Sequence, residues 1–153
     1  MNRINDVVYF DPADTEFPIS LNILEVTEPG HREFVASGIV SIFNKLYGHS
    51  WGPRLEYILR NTLLTLTEVP GTTLPNIIDM LTNRDYRDRT VRMINDPVMI
   101  KFWNDEFNMM DPKKSIEEVS SILNKVGQFV SSPLIRRIIS PSKSSIDLES
   151  IMN

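Results

Sequence analysis

The stretch PRLEYILRNTLLTLTEVPG, residues 53–71, decides how the chain is read. Leu55, Ile58, Leu59, Leu63 and Leu66 recur at three- and four-residue spacing, the period of one helix face, and Leu64 widens the stripe. Pro53 suits a first helical turn, where its missing N–H would have no partner anyway. Pro70-Gly71 stops the run. A helix apolar over so wide an arc is predicted to be the central, most buried element of a helical domain.

Upstream, Val35, Ile39, Ile42, Phe43 and Leu46 form a second helical stripe that Gly48 ends. Downstream, Thr73 is expected to cap a short helix carrying Leu74, Ile77, Ile78 and Leu81, and Asn83 another in which Tyr86, Thr90, Met93 and Ile94 share a face. Asp96-Pro97 reads as cap plus first position of a helix heavy with Phe102, Trp103, Phe107, Met109 and Met110. Ser115-Ile116-Glu117-Glu118 is a capping box opening Ile116, Val119, Leu123, Val126 and Val130. Ser132-Pro133 starts a helix with Leu134, Ile135, Ile138 and Ile139; a polar loop, Ser140 to Ser145, leads to a last turn through Leu148 and Ile151.

At the amino end, Val7-Val8-Tyr9-Phe10 reads as a short strand stopped by Asp11-Pro12, followed by an extended connector with prolines at 18 and 29. A lone strand needs partners that this chain hardly offers. The prediction is therefore a mostly α, irregular all-alpha domain of about seven helices over residues 29–153, with a short N-terminal β-strand and connector over residues 1–28. No internal repeat of fixed period is present, which argues against solenoids and propellers.

Composition is that of one soluble domain: 153 residues, 41% hydrophobic and 24% charged. The absence of cysteine excludes disulfides, thiolate zinc sites and cysteine nucleophiles. A formal charge of -4 is the wrong sign for a free-standing duplex binder, whose affinity comes largely from neutralising phosphates. The first residues lack the apolar core of a signal peptide, and no apolar run approaches the roughly 18 residues of a membrane span.

The usual catalytic signatures are missing. None of the six glycines is followed by the Lys-Ser/Thr pair of a phosphate-binding loop. His31 and His49 stand in no metal-ligand spacing, Asp105 and Glu106 point about 100° apart on a helix, and no G-x-S-x-G elbow activates a serine. No catalytic, cofactor or metal residue is assigned. Asp11 and Asp14 are most simply turn formers.

Basic residues give three groups. Arg84, Arg87, Arg89 and Arg92 are interleaved with Asp85 and Asp88, which favours ion-pair lacing on a solvated face. Arg136, Arg137 and Lys143 have no acid between them and are candidates for contact with DNA or a partner. Lys45, Arg54 and Arg60 straddle the two long helices, with Arg60 expected to pair with Glu56 one turn earlier. Trp103 and Phe107 have the spacing of core residues rather than of a stacking platform. Trp51, before Gly52-Pro53, either anchors the turn or stands exposed for a partner.

Several segments also resemble a known family. Ile4 to Asp14 and Pro18 to Glu25 are similar to the stretch after the Walker A unit of type IV secretion and conjugative DNA-transfer ATPases. Ser50 to Asn61, with its Trp-Gly-Pro-Arg, is similar to another part of those proteins. So are Phe102-Trp103 with Glu106-Phe107, Leu123-Asn124-Lys125-Val126-Gly127-Gln128-Phe129, and Ser131 to Arg136.

The resemblance implies a helical insertion between the Walker motifs of a RecA-like, FtsK/HerA-type motor that is hexameric when active, with residues 1–28 belonging to the motor sheet. Neither Walker motif is within the chain, so it is expected to be no enzyme by itself and to hold no cofactor. The family further implies a cytoplasmic substrate-recognition or assembly module, meeting the rest of the motor and either single-stranded DNA or a relaxosome or effector protein. It makes no membrane contact itself, any inner-membrane anchor belonging to the parent. Arg54, Arg60 and Asn61, polar on an otherwise buried helix, are candidates for the joint with the motor. Two alternatives stand beside this: an ATPase site completed by Asp11, Asp14 or Arg136 only in the intact hexamer, and a purely structural spacer.

Overall fold

Burial of nearly every side of one helix organises the molecule, a computed structural model that describes residues 21–141. That helix is α2, Pro53–Glu68, preceded in the chain by α1, Arg32–Tyr47. The predicted stripe of Leu55, Ile58, Leu59, Leu63 and Leu66 is buried, and so are Asn61, Thr62, Thr65 and Thr67 on the remaining sides. Threonines tolerate this position because their hydroxyls donate to carbonyls of the preceding turn: Thr62 to Ile58 and Thr65 to Asn61, both at 2.8 Å. After α2, Gly71 takes a φ of 85°, a conformation open to glycine at no steric cost, and the Thr72 hydroxyl closes the turn on the carbonyls of Leu66 and Val69.

Five further helices follow: α3 Asn76–Thr82, α4 Arg84–Met93, α5 Pro97–Lys101, α6 Pro112–Val130 and α7 Pro133–Ile139. α2 packs against α1, α3, α5 and α6, and α7 folds back on α6. The described residues are thus all-alpha, with seven α-helices and no strand. The expected strand at Val7–Phe10 and the closing turn through Leu148 and Ile151 lie outside the described residues. Residues 21–28 of the expected connector are non-helical and pack on the helices: Leu24 is in the core, and the Asn22 amide donates to the Thr72 carbonyl at 2.8 Å.

Start signals made of a short polar residue followed by proline hold. Asp96 and Ser132 accept from the N–H groups of Val98 and Ile135, and Asn83 caps α4 through Tyr86. The capping box at Ser115 does not form. α6 begins a turn earlier at Asp111-Pro112, where the Asp111 carboxylate accepts from the Lys113 N–H, and Ser115 turns its hydroxyl back to the Asp111 and Pro112 carbonyls. Thr73 likewise is not the residue before α3; its N–H and hydroxyl meet the Asn76 side chain in the turn leading in.

α1 turns inward a face shifted from the expected stripe, of which Ile39 and Phe43 are kept. Ala36, Ile39, Val40 and Phe43 are buried, whereas Ile42 and Leu46 are more than half exposed. The helix carries apolar side chains almost all round, and the smaller Ala36 and Val40 let it lie close to α2. Met93 is similarly exposed, although Thr90 and Ile94 are buried.

Between α5 and α6 the backbone widens into a π-helical segment, Phe102–Phe107, with the Asn108 N–H bonded to the Trp103 carbonyl five residues back at 2.9 Å. It gathers three rings: Trp103 lies 4.8 Å from Phe102 and 5.0 Å from Phe107 between centroids. Trp103 is fully buried, as its spacing predicted.

Candidate functional site

The basic pair at the carboxyl end is presented by the shortness of α7. Ile138 and Ile139 enter the core, Ile135 is half-buried, and Arg136 and Arg137 are left exposed on the other side. Arg136 donates to the Val130 carbonyl at 3.4 Å. Among the described residues neither arginine pairs with a carboxylate. Lys143, the third member of the expected group, lies outside the described residues.

The candidates on α2 serve different contacts. Trp51 is half-buried against the core and donates from Nε1 to Glu56 Oε1 at 3.1 Å, so it ties the loop to the first turn of α2. Arg60 reaches α1, donating to Ser37 Oγ at 3.0 Å, and the expected Arg60–Glu56 pair is not made. Arg54 is exposed, with Nη2 3.2 Å from Met110 Sδ. Asn61 is buried, its carbonyl accepting from Thr65. No hydrogen bond or ion pair among the described residues joins this group to Arg136 or Arg137.

Three ionisable groups have environments that sequence reasoning did not anticipate. Arg87 is no surface partner of an aspartate: it is buried, donates from Nε to Asn108 Oδ1 and from Nη1 to the Met80 carbonyl, both at 2.9 Å, and lies 4.8 Å over the Phe107 ring. Burial pushes its pKa below the ordinary arginine value, against the opposing charge of Asp88. Its place three and four residues before the inward-facing Thr90 and Val91 was the available signal. Of the expected lacing, Arg84–Asp88 forms, at 3.7 Å.

Lys125 is also buried, donating to Ser121 Oγ at 2.6 Å with its ammonium 5.6 Å over the Tyr47 ring, and burial lowers its pKa. Tyr57 donates to Glu106 Oε2 at 2.6 Å; that hydrogen bond, then burial, then the Glu106 charge raise its pKa.

Among the described residues, three of the segments quoted for the resemblance take part in packing joints. Tyr57 meets Glu106 and the edge of Phe102, while Lys125 and Gln128 meet Tyr47, and Phe129 meets Phe43 across the α1–α6 contact. Two grooves open nearby. One, of about 480 Å³, holds the Arg32–Glu68 ion pair at 3.1 Å, which fixes the start of α1 to the end of α2; Glu68 also accepts from the Asn95 N–H. The other, of about 330 Å³, runs between α1 and α7 and is lined only by apolar residues, among them Leu21, Ile23, Ile42, Phe43, Phe129 and Ile135.

Among the described residues no three His, Asp or Glu side chains converge as a metal site, and no helix is long and apolar enough to cross a membrane. His31 sits 3.6 Å from Glu28, and His49 is exposed. Compared with protein-family models, curated proteins and solved structures, the chain matches none of them.

Proposed function

We propose that this chain is the helical substrate-recognition or assembly module of a DNA-translocating type IV secretion ATPase, carried between the Walker motifs of a cytoplasmic motor and without a hydrolytic centre of its own. The sequence resemblance suggests the setting. The observation that carries the reading is the exposed Arg136–Arg137 pair, unpaired with carboxylates among the described residues, on a helix whose other side lines an apolar groove, in a chain of net charge -4. A surface that mixes cations with apolar area suits recognition of a protein segment better than it suits a duplex, where phosphate neutralisation dominates. Trp51 contributes as the anchor of α2, and of the three candidates for the joint with the motor the exposed Arg54 at the start of that helix is the one left accessible, Arg60 being bonded to Ser37 and Asn61 buried.

The test is made in the parent translocase. Arg136→Glu with Arg137→Glu is expected to abolish substrate transfer while ATP hydrolysis continues. Hydrolysis lost together with transfer would favour the alternative in which Arg136 completes an ATPase site in the hexamer. Unchanged transfer would leave a spacer. Single-stranded DNA remains the second class of cargo, and it predicts binding by this chain that weakens steeply as salt rises.

A further inference from the structure

The start of α2 meets the π-helical segment and the turn after it through two polar contacts. In one, the Tyr57 hydroxyl donates to Glu106 Oε2 at 2.6 Å, a short bond to a charged acceptor. In the other, a turn back on α2 and just beyond Glu106, the Arg54 guanidinium donates from Nη2 to Met110 Sδ at 3.2 Å. The two differ in strength, because a carboxylate is a strong acceptor and a thioether sulfur a weak one. Among the described residues Arg54 makes no ion pair, while Glu56 accepts from Trp51 and Glu106 from Tyr57.

Met110 is held in place on both sides of this contact. Its N–H bonds the Phe107 carbonyl at 3.2 Å, and its side chain is half-buried against the core, while Arg54 stands exposed. Among the described methionines Met110 alone has a donor at its sulfur. Met80 and Met99 are buried, and Met93 and Met109 are exposed.

Oxidation of that sulfur would turn the weak contact into a strong one. A hydroperoxide gives its terminal oxygen to a sulfur lone pair: the S–O bond forms as the O–O bond breaks, and sulfur is oxidised to the sulfoxide while the peroxide is reduced. The proton of the transferred oxygen passes to the leaving oxygen, which departs as an alcohol, or as water from hydrogen peroxide. Elsewhere a sulfoxide puts a polar group into apolar packing and loosens it. At Met110 a cation already stands beside the sulfur, and rotation about the Cγ–Sδ bond carries the new oxygen to it.

We infer that Met110 is a site of oxidation by hydroperoxides and that Arg54 holds the resulting sulfoxide, so that oxidation fastens the turn after the π-helical segment to α2 instead of loosening it. The site uses residues of this chain alone and stands whether or not the chain belongs to a translocase. Enzymatic reduction of the sulfoxide makes the change reversible.

Mild hydrogen peroxide on the full chain tests this, with peptide mass spectrometry to place the added oxygens and thermal melting to read their effect. Met93→Leu and Met109→Leu remove the exposed sulfurs that compete. In that background Met110 is expected to take one oxygen, the buried Met80 and Met99 to stay reduced, and Tm to rise by about 2–4 °C. Methionine sulfoxide reductases of both epimer classes should return Tm to its starting value. Adding Arg54→Ala is expected to turn the rise into a fall; the position is exposed, so circular dichroism should show this variant folded. Adding Met110→Leu should abolish the shift, which separates Met110 from Met1 and Met152. A Met110 thioether that survives conditions oxidising Met93 and Met109 in the parent chain overturns the inference. So does a Tm that falls on oxidation with Arg54 in place, or a shift of the same size without Arg54 or without Met110.

Discussion

The indole Nε1 of Trp103 donates to the Thr65 hydroxyl at 2.8 Å, and both side chains are shut away from solvent. The Thr65 hydroxyl in turn donates to the Asn61 carbonyl, so a chain of hydrogen bonds links the π-helical segment to the middle of α2. A single truncation leaves a buried partner unsatisfied, at a cost of about 1–3 kcal/mol. Thr65→Val is expected to destabilise the fold by that much in urea denaturation. Thr65→Val combined with Trp103→Phe should cost less than the sum of the two single changes, because the second removes the stranded donor; simple additivity would show that the bond does not matter.

Arg87 and Arg84 are one helical turn apart on α4 but differ in worth. Arg84 holds Asp88 at 3.7 Å in an exposed pair, while Arg87 holds Asn108 and the Met80 carbonyl from a buried position. Thermal or chemical unfolding should find Arg84→Ala within about 0.5 kcal/mol of the parent and Arg87→Ala about 2–3 kcal/mol lower. Equal losses would contradict the buried role of Arg87.

The start of α6 is set by Asp111 rather than by Ser115. Asp111→Ala should remove about 1 kcal/mol of stability, the usual worth of an N-cap, and Ser115→Ala should change it by only a few tenths. The reverse order in a melting experiment would restore the capping box.

Tyr57 supplies a pH dependence of known sign. Its pKa is raised in the folded state by Glu106, so between the ordinary tyrosine value of 10.0 and the folded value the unfolded chain loses a proton that the native one keeps. The contribution to stability is full below the ordinary value and is lost as pH rises through the folded one. Glu106→Gln is expected to bring the Tyr57 phenolate absorbance to lower pH and to reduce this alkaline loss. An unshifted titration would deny the contact.

Much of this was readable in the residues. The α2 stripe, the caps at Asn83, Asp96 and Ser132, and the core place of Trp103 follow from period and local chemistry, since each depends on neighbours a few positions away. The inner face of α1 did not, because Ile42 and Leu46 share the spacing of its buried residues and only the approach of α2 selects Ala36 and Val40. Arg60 bonds Ser37 on α1 and Glu56 accepts from Trp51, contacts set by residues outside the helical spacing that suggested the pair.

The widened winding from Phe102 to Phe107 bears on what the chain tolerates. At ordinary α-helical pitch Phe102 and Phe107 would point about 140° apart; the looser coil brings their centroids to 6.2 Å and sets Phe107 beneath the Arg87 guanidinium. Losing one of the exposed residues Asn104 or Asp105 would leave Phe107 four positions after Phe102, about 40° from it at ordinary pitch. The extra residue is thus what the looser coil absorbs while both rings stay on one face.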